Sequence, residues 1–318
     1  MRTMICLHGF AREQEEAVRK AAPGWRVVFG RTGEIETALY KEAEIVCGWN
    51  GDAARECLGP DSKLRWVQTW SAGVDSLPLD RLAAKGALLT GASGVHPAPM
   101  SETVFAFMLG LTRGIHRAVR SQTEGRWDRS GVLPEMHGKT AVIVGAGKIG
   151  QEIARIARAF SMTTIGVRRS GETVPSFDRM LATDRLDEAL AQADYVINVL
   201  PLTDETRRLF DEGRFAAMRS SAYFINVGRG ETVRTDALVE ALRSGSIAGA
   251  GLDVFEQEPL PEGHPLWSLD NVILTPHTGG STAGVKERVA SIFLANLPLY
   301  LNGETHALLN LVDYDRGY

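Results

Sequence analysis

The chain has 318 residues, 44% hydrophobic and 23% charged, the makeup of an ordinary globular protein. At this length roughly three-quarters of the unfolded surface can be buried, and two domains are expected rather than one. The net charge of −4 argues against a general nucleic-acid or polyanion binder.

Three cysteines, Cys6, Cys47 and Cys57, form no CxxC pair. Their odd number fits buried thiols in a reducing cytosol better than a disulfide framework. The opening MRTMICLHGFAREQEE has an apolar stretch far shorter than a signal peptide's core and becomes charged at once. No window approaches the ~20 apolar residues that a membrane span needs, so a cytoplasmic protein is expected.

The first hundred residues alternate strand-like and helix-like segments. RVVF (26–29), EIVCG (44–48), RWVQTW (65–70) and ALLTG (87–91) read as strands, and EQEEAVRKAA (13–22) as a helix. Such alternation predicts a parallel sheet covered by helices on both faces. Pro97 and Pro99 then predict a stiff, non-helical crossing between domains, with Ser101 capping the helix that follows. Val104, Phe105, Met108 and Leu111 give that helix its apolar spacing. A second α/β series starts at Thr140, with strand-like runs at 140–144, 163–167, 195–200, 222–227, 249–255 and 271–275. Residues from about Gly284 to Leu301 read as one amphipathic helix.

Within TAVIVGAGKIG, Gly145, Gly147 and Gly150 form G-x-G-x-x-G. The pattern alone is weak in a chain with 33 glycines. Its context is not: a β-branched run precedes it, and Ile149, Ile153, Ile156 and Phe160 follow on one helical face. This is the strand–turn–helix whose backbone N–H groups and helix dipole hold a pyrophosphate. An NAD site would carry an acidic residue about twenty positions on, to accept from the ribose hydroxyls. Here VRRSG (167–171) puts Arg168 and Arg169 there, and a guanidinium suits a 2′-phosphate. The expected cofactor is NADP(H) in preference to NAD(H).

Loops that follow the strands of a parallel sheet emerge on one edge, where ligands bind. After the glycine loop and the arginine pair come PLT (201–203), GRG with Arg229, EQEP with Glu258, and PHTGG with His277. Reducing a carbonyl needs a proton donor at its oxygen, and histidine titrates nearest neutral pH. A carboxylate beside the imidazole orients it, and on spacing alone Glu256 serves as well as Glu258. An arginine can clamp a substrate carboxylate and polarise the neighbouring carbonyl.

The segments HGKTAVIVGAGKIG, NVLPLTDET, FINVGRGE, AGAGLDVFEQEPLP and NVILTPHTGGST resemble those of the D-2-hydroxyacid dehydrogenase family, over about Trp66 to Thr282. The resemblance implies that Arg229 binds substrate, that His277 is the acid/base, and that Glu258, directly before Pro259, is its carboxylate partner. It implies that backbone N–H groups of SAGVD (71–75), around Ala72 and Gly73, bind the substrate carboxylate. Asp253 falls where the family anchors the nicotinamide carboxamide. The implied cofactor-binding set is Gly145, Gly147, Lys148, Ile149, Gly150, Arg168, Arg169, Ser170, Pro201, Thr203, Val227, Asp253, His277 and Gly279, with Ala72, Gly73, Arg229 and His277 at the substrate and no metal.

The implied fold is α/β, two doubly wound parallel-sheet domains. A Rossmann cofactor domain (99–284) is inserted into a flavodoxin-like substrate domain (1–98 and 285–318). Many members carry aspartate where this chain has Arg168. The arginine pattern and PLPEGHPLW (259–267) resemble the NADPH-preferring glyoxylate and hydroxypyruvate reductases. The implied reaction is reduction of a small 2-ketoacid to the D-2-hydroxyacid, without nucleic-acid or membrane partners. The alternative on the same fold is a dinucleotide-sensing interaction protein of the corepressor kind. The family also implies a homodimer through the cofactor domain, with EGRWDRSGVLP (124–134) as the crossing arm and Trp127 at the interface.

Overall fold

The computed structural model describes residues 1–7, 9–129 and 131–315. The chain divides into two compact units, Met1–Val95 with Thr282–Tyr318, and His96–Ser281. These crossings fall at 95 and 281, where the sequence reading puts 98 and 284.

The first unit holds a five-stranded sheet of β1 (Thr3–Cys6), β2 (Arg26–Phe29), β3 (Ala43–Cys47), β4 (Trp66–Gln68) and β5 (Leu88–Thr90). Every pairing is parallel, in the order β2-β1-β3-β4-β5. β1, only TMIC, is absent from the sequence reading, yet it sits between β2 and β3 with all four residues buried. Apolar side chains form one cluster around Ile5, Val46 and Leu89, and another around Met4, Ile45 and Trp66. Successive strand residues thus face opposite helical layers. The helix Ala283–Leu301 belongs to this unit and buries Val289, Ala290, Phe293, Leu297 and Tyr300 at helical spacing.

The second unit holds seven parallel strands: β6 (Thr140–Val144), β7 (Thr163–Arg168), β8 (Arg179–Ala182), β9 (Tyr195–Asn198), β10 (Tyr223–Asn226), β11 (Gly249–Leu252) and β12 (Val272–Leu274). Their order is β12-β11-β10-β9-β6-β7-β8, so the winding reverses between β6 and β9. β8, RMLA, has no β-branched residue and escapes a propensity reading.

The helix Pro97–Thr112 corrects the sequence expectation of a non-helical crossing. Its first N–H groups need no intrahelical partner, so Pro97 at the first position and Pro99 at the third leave no bond unmade. Ser101 is inside the helix, its Oγ donating to Ala98 O at 2.8 Å, and does not cap it. This helix lies directly on β11. A Cβ on Gly251 would stand 2.6 Å from Phe107. That close approach accounts for glycine in the middle of the GAGL strand.

Candidate active site

The loops that carry Gly145, Arg168, Pro201, Arg229, Glu258 and His277 follow strands of the seven-stranded sheet and emerge at its carboxyl edge. After β6, Gly145 takes φ +109 and packs under Val199, where a Cβ would meet the Val199 carbonyl oxygen at 3.1 Å. Gly147 caps the helix Lys148–Ala159, and a Cβ there would meet nothing within 4 Å. On Gly150 a Cβ would stand 2.1 Å from Gly145 O. The third glycine therefore lets helix and strand touch, and the second leaves open space before a helix N-terminus. That bare surface fits a dinucleotide pyrophosphate. Lys148 is exposed, and Ile149 packs against the core.

Arg168 ends β7 and stands 3.6 Å from the Glu172 carboxylate, while Arg169 pairs with Glu205 at 3.1 Å. Ser170 and Gly171 complete the turn, with Gly171 N–H donating to Arg168 O at 3.2 Å. After β9, Thr203 O accepts the Thr206 and Arg207 N–H groups, and Pro201 O accepts the Thr206 hydroxyl at 2.7 Å. Val227 is buried directly after β10.

Arg229 follows β10 and is half-buried, with Nη1 donating to Gly228 O at 3.0 Å. Its neighbour Gly230 admits no side chain, since a Cβ would overlap Phe255 C and O at 1.9 Å. The loop carrying Arg229 is thereby pressed against the loop that carries Glu258. His277 follows β12 at φ +54, and its N–H donates to Asp253 O at 2.8 Å. Its Nδ1 lies 2.7 Å from Glu258 Oε2, and Glu258 Oε1 accepts the Phe255 N–H at 3.0 Å. Glu256 points elsewhere: Oε1 takes Arg208 at 3.1 Å and Oε2 accepts the Thr235 N–H at 3.2 Å. Spacing leaves the two glutamates equivalent; geometry brings only Glu258 to the histidine.

Asp253 is 1% exposed. Oδ1 accepts from Thr275 Oγ1 at 2.6 Å and from the Thr278 N–H at 2.9 Å, and Oδ2 accepts from the Gly279 N–H at 2.9 Å. The aspartate thus braces the turn that carries His277. Charge-assisted bonds of this kind are the stronger ones in a buried setting. A Cβ on Gly279 would lie 2.8 Å from Asp253 Oδ2, so this close approach requires glycine there. Ala72 and Gly73 belong to the other unit, half-buried on the loop after β4, where Ser71 N–H donates to Thr69 Oγ1 at 3.1 Å.

Sequence reasoning misses Asn198, Asn226 and Thr232, all at most 1% exposed beneath Arg229. The signal is the repeated ending of YVIN and YFIN. Asparagine is a poor strand residue, yet it closes two neighbouring strands in register.

A sequence model for the NAD-binding domain of the D-isomer specific 2-hydroxyacid dehydrogenases matches residues 105–279. The glyoxylate/hydroxypyruvate reductase B of Escherichia coli is 37% identical over 282 residues, 86% of this chain and 86% of that one. A D-isomer specific 2-hydroxyacid dehydrogenase from Xanthobacter autotrophicus Py2, solved with NADPH and MES, superposes with a TM-score of 0.82 at 32% identity, covering 100% of this chain and 99% of that one. The NADPH-dependent glyoxylate/hydroxypyruvate reductase of Sinorhizobium meliloti, solved with NADP and sulfate, gives a TM-score of 0.81 at 27% identity, covering 100% and 99%. The chain therefore belongs to the D-isomer specific 2-hydroxyacid dehydrogenases, NAD(P)-dependent oxidoreductases acting on CH–OH groups, and within them to a branch like the glyoxylate/hydroxypyruvate reductases, a 2-ketoacid reductase.

Proposed function

We propose that the chain reduces a small 2-ketoacid of the glyoxylate or hydroxypyruvate kind to the D-2-hydroxyacid, with NADPH preferred to NADH. The observation that carries this reading is the Nδ1–Oε2 contact of His277 with Glu258, on a loop pressed against that of Arg229. When bound, the nicotinamide cofactor supplies the hydride. Gly145, Gly147 and Gly150 would hold its pyrophosphate at the start of the helix Lys148–Ala159.

His277, with Nδ1 held by Glu258, has Nε2 available to give a proton to the substrate oxygen as the carbonyl is reduced. Glu258 keeps that tautomer and steadies the imidazolium before the proton leaves. Arg229 forks onto the substrate carboxylate and carbonyl, which orients the carbon for attack and draws charge toward the oxygen. Asp253, besides bracing the His277 turn, is the residue assigned to the carboxamide of the nicotinamide.

The NADPH preference rests on Arg168 at the end of β7 with Arg169 beside it, and the NADP-bound relatives are consistent with it. Their present partners, Glu172 and Glu205, are exposed surface carboxylates. Such pairs contribute about 0–1 kcal/mol and are readily exchanged for a phosphate.

The proposal includes a homodimer. Trp127 is 88% and Val132 99% exposed, and Ile115 and Val119 show apolar surface one turn apart on a nearby helix. Ser130 of that arm lies outside the described residues. A second copy of the chain would cover these apolar side chains if they meet in one patch.

Steady-state NADPH oxidation with a panel of 2-ketoacids, followed by chiral analysis of the product, tests the reading. Turnover of glyoxylate or hydroxypyruvate, the latter giving the D-product, is expected. No turnover with any 2-ketoacid overturns it.

A further inference from the structure

Asn198 and Asn226 end neighbouring strands in register, β9 and β10, and their side chains join beneath the sheet edge. Asn198 Nδ2 donates to Asn226 Oδ1 at 3.0 Å and to Thr232 Oγ1 at 2.7 Å. Asn198 Oδ1 accepts the Leu200 N–H at 3.2 Å, and Asn226 Oδ1 accepts the Gly228 N–H at 3.1 Å. The chain of bonds closes on one atom, the carbonyl oxygen of Arg229. That oxygen receives Asn226 Nδ2 at 3.3 Å and Thr232 Oγ1 at 2.6 Å.

Each amide has its orientation fixed. A backbone N–H must meet the oxygen of Asn198, and a carbonyl must meet the nitrogen of Asn226. Thr232 Oγ1 accepts from one side and donates to the other. A leucine or valine set would fill the space but take these partners from the Leu200 and Gly228 N–H groups and from the Arg229 carbonyl, at the cost that buried unpaired polar groups carry. What the polar set adds is a fixed position for the peptide that carries Arg229. The same set holds Leu200, next to Pro201, so the cofactor-side loop and the arginine loop share one frame.

We propose that Asn198, Asn226 and Thr232 form a positioning cluster that sets Arg229 for the substrate, with Thr232 as its last link. The inference rests on the reading of Arg229 as the substrate arginine. Misplacing a substrate-orienting group by about 1 Å can cost up to about 10²-fold in rate.

The test is a double-mutant cycle between Thr232→Val and Arg229→Ala, read as kcat/KM for glyoxylate with NADPH. Thr232→Val is expected to raise KM for glyoxylate and lower kcat, together by about tenfold or more. Thr232→Ser, which keeps the hydroxyl, should recover most of the loss. In the Arg229→Ala background, Thr232→Val should remove at most about twofold more.

An equal loss in both backgrounds, or a Thr232→Ser variant no better than Thr232→Val, overturns the proposal. Should Thr232→Val not fold, Thr232→Ala takes its place in the cycle. Wild-type kinetics in Arg229→Ala would instead remove the substrate reading on which the inference stands. An impaired Arg229→Ala beside an unimpaired Thr232→Val removes the inference alone.

Discussion

Nδ1 of His277 lies 2.7 Å from Oε2 of Glu258, and the other oxygen of that carboxylate is held by the Phe255 N–H. The pair is not a stability device. Both side chains are more than a third exposed, and surface ion pairs contribute about 0–1 kcal/mol. Glu258→Gln should therefore leave Tm nearly unchanged while lowering kcat by up to roughly 10⁴-fold, the loss seen when the carboxylate that orients a catalytic histidine becomes an amide. Melting curves beside steady-state kinetics check this, and a variant with wild-type turnover would dissociate the glutamate from the chemistry.

The two glycines that flank the start of the helix Lys148–Ala159 should fail in different ways. A methyl on Gly147 meets nothing in the protein, so Gly147→Ala should keep its Tm and yet bind NADPH about tenfold or more weakly. On Gly150 the methyl would stand 2.1 Å from a backbone oxygen. Gly150→Ala should lose about 1–3 kcal/mol of stability before any ligand is added. Fluorescence titration with NADPH and thermal melts separate these outcomes. Unchanged affinity in Gly147→Ala would place the pyrophosphate elsewhere.

Much of this was legible in the residues. Apolar β-branched runs mark most strands, and parallel topology alone gathers Gly147, Arg168, Arg229, Glu258 and His277 to one edge. What escaped has physical reasons. TMIC is too short to stand out, and RMLA lacks the side chains that favour strands. Pro97 and Pro99 read as a break, because prolines are harmless only in a first turn and sequence does not show where a turn begins. Glu256 and Glu258 share their spacing and are told apart only by which donors they reach. Asn198 and Asn226 look like turn residues until the register of β9 and β10 sets them side by side.

The three thiols should be inert in the native protein. Cys6, Cys47 and Cys57 are fully buried, and burial raises all three, Cys57 to about 12. At mildly alkaline pH the reactive thiolate is then scarce as well as shielded. Ellman's reagent should find no rapidly reacting thiol in the folded chain and three in guanidinium chloride. A fast stoichiometric reaction under native conditions would contradict that burial.

Association should depend on the arm. Sedimentation at micromolar concentration should give a dimer, and Trp127→Ser together with Val132→Ser should shift it toward monomer without lowering the Tm of the monomeric species. A wild-type monomer would refute the homodimer, and a double variant that remains fully dimeric would move the interface away from this arm.

The most direct measurement is the ratio of kcat/KM for NADPH over NADH with glyoxylate, in the wild type and in Arg168→Asp. A charge-assisted contact to the 2′-phosphate is worth about 1.5–3 kcal/mol, roughly ten- to more than a hundredfold. The wild type should prefer NADPH. Arg168→Asp should cut the ratio by that factor, because its carboxylate repels the phosphate and accepts from the ribose hydroxyls. A wild-type enzyme more efficient with NADH, or a ratio that Arg168→Asp leaves unmoved, would contradict the account.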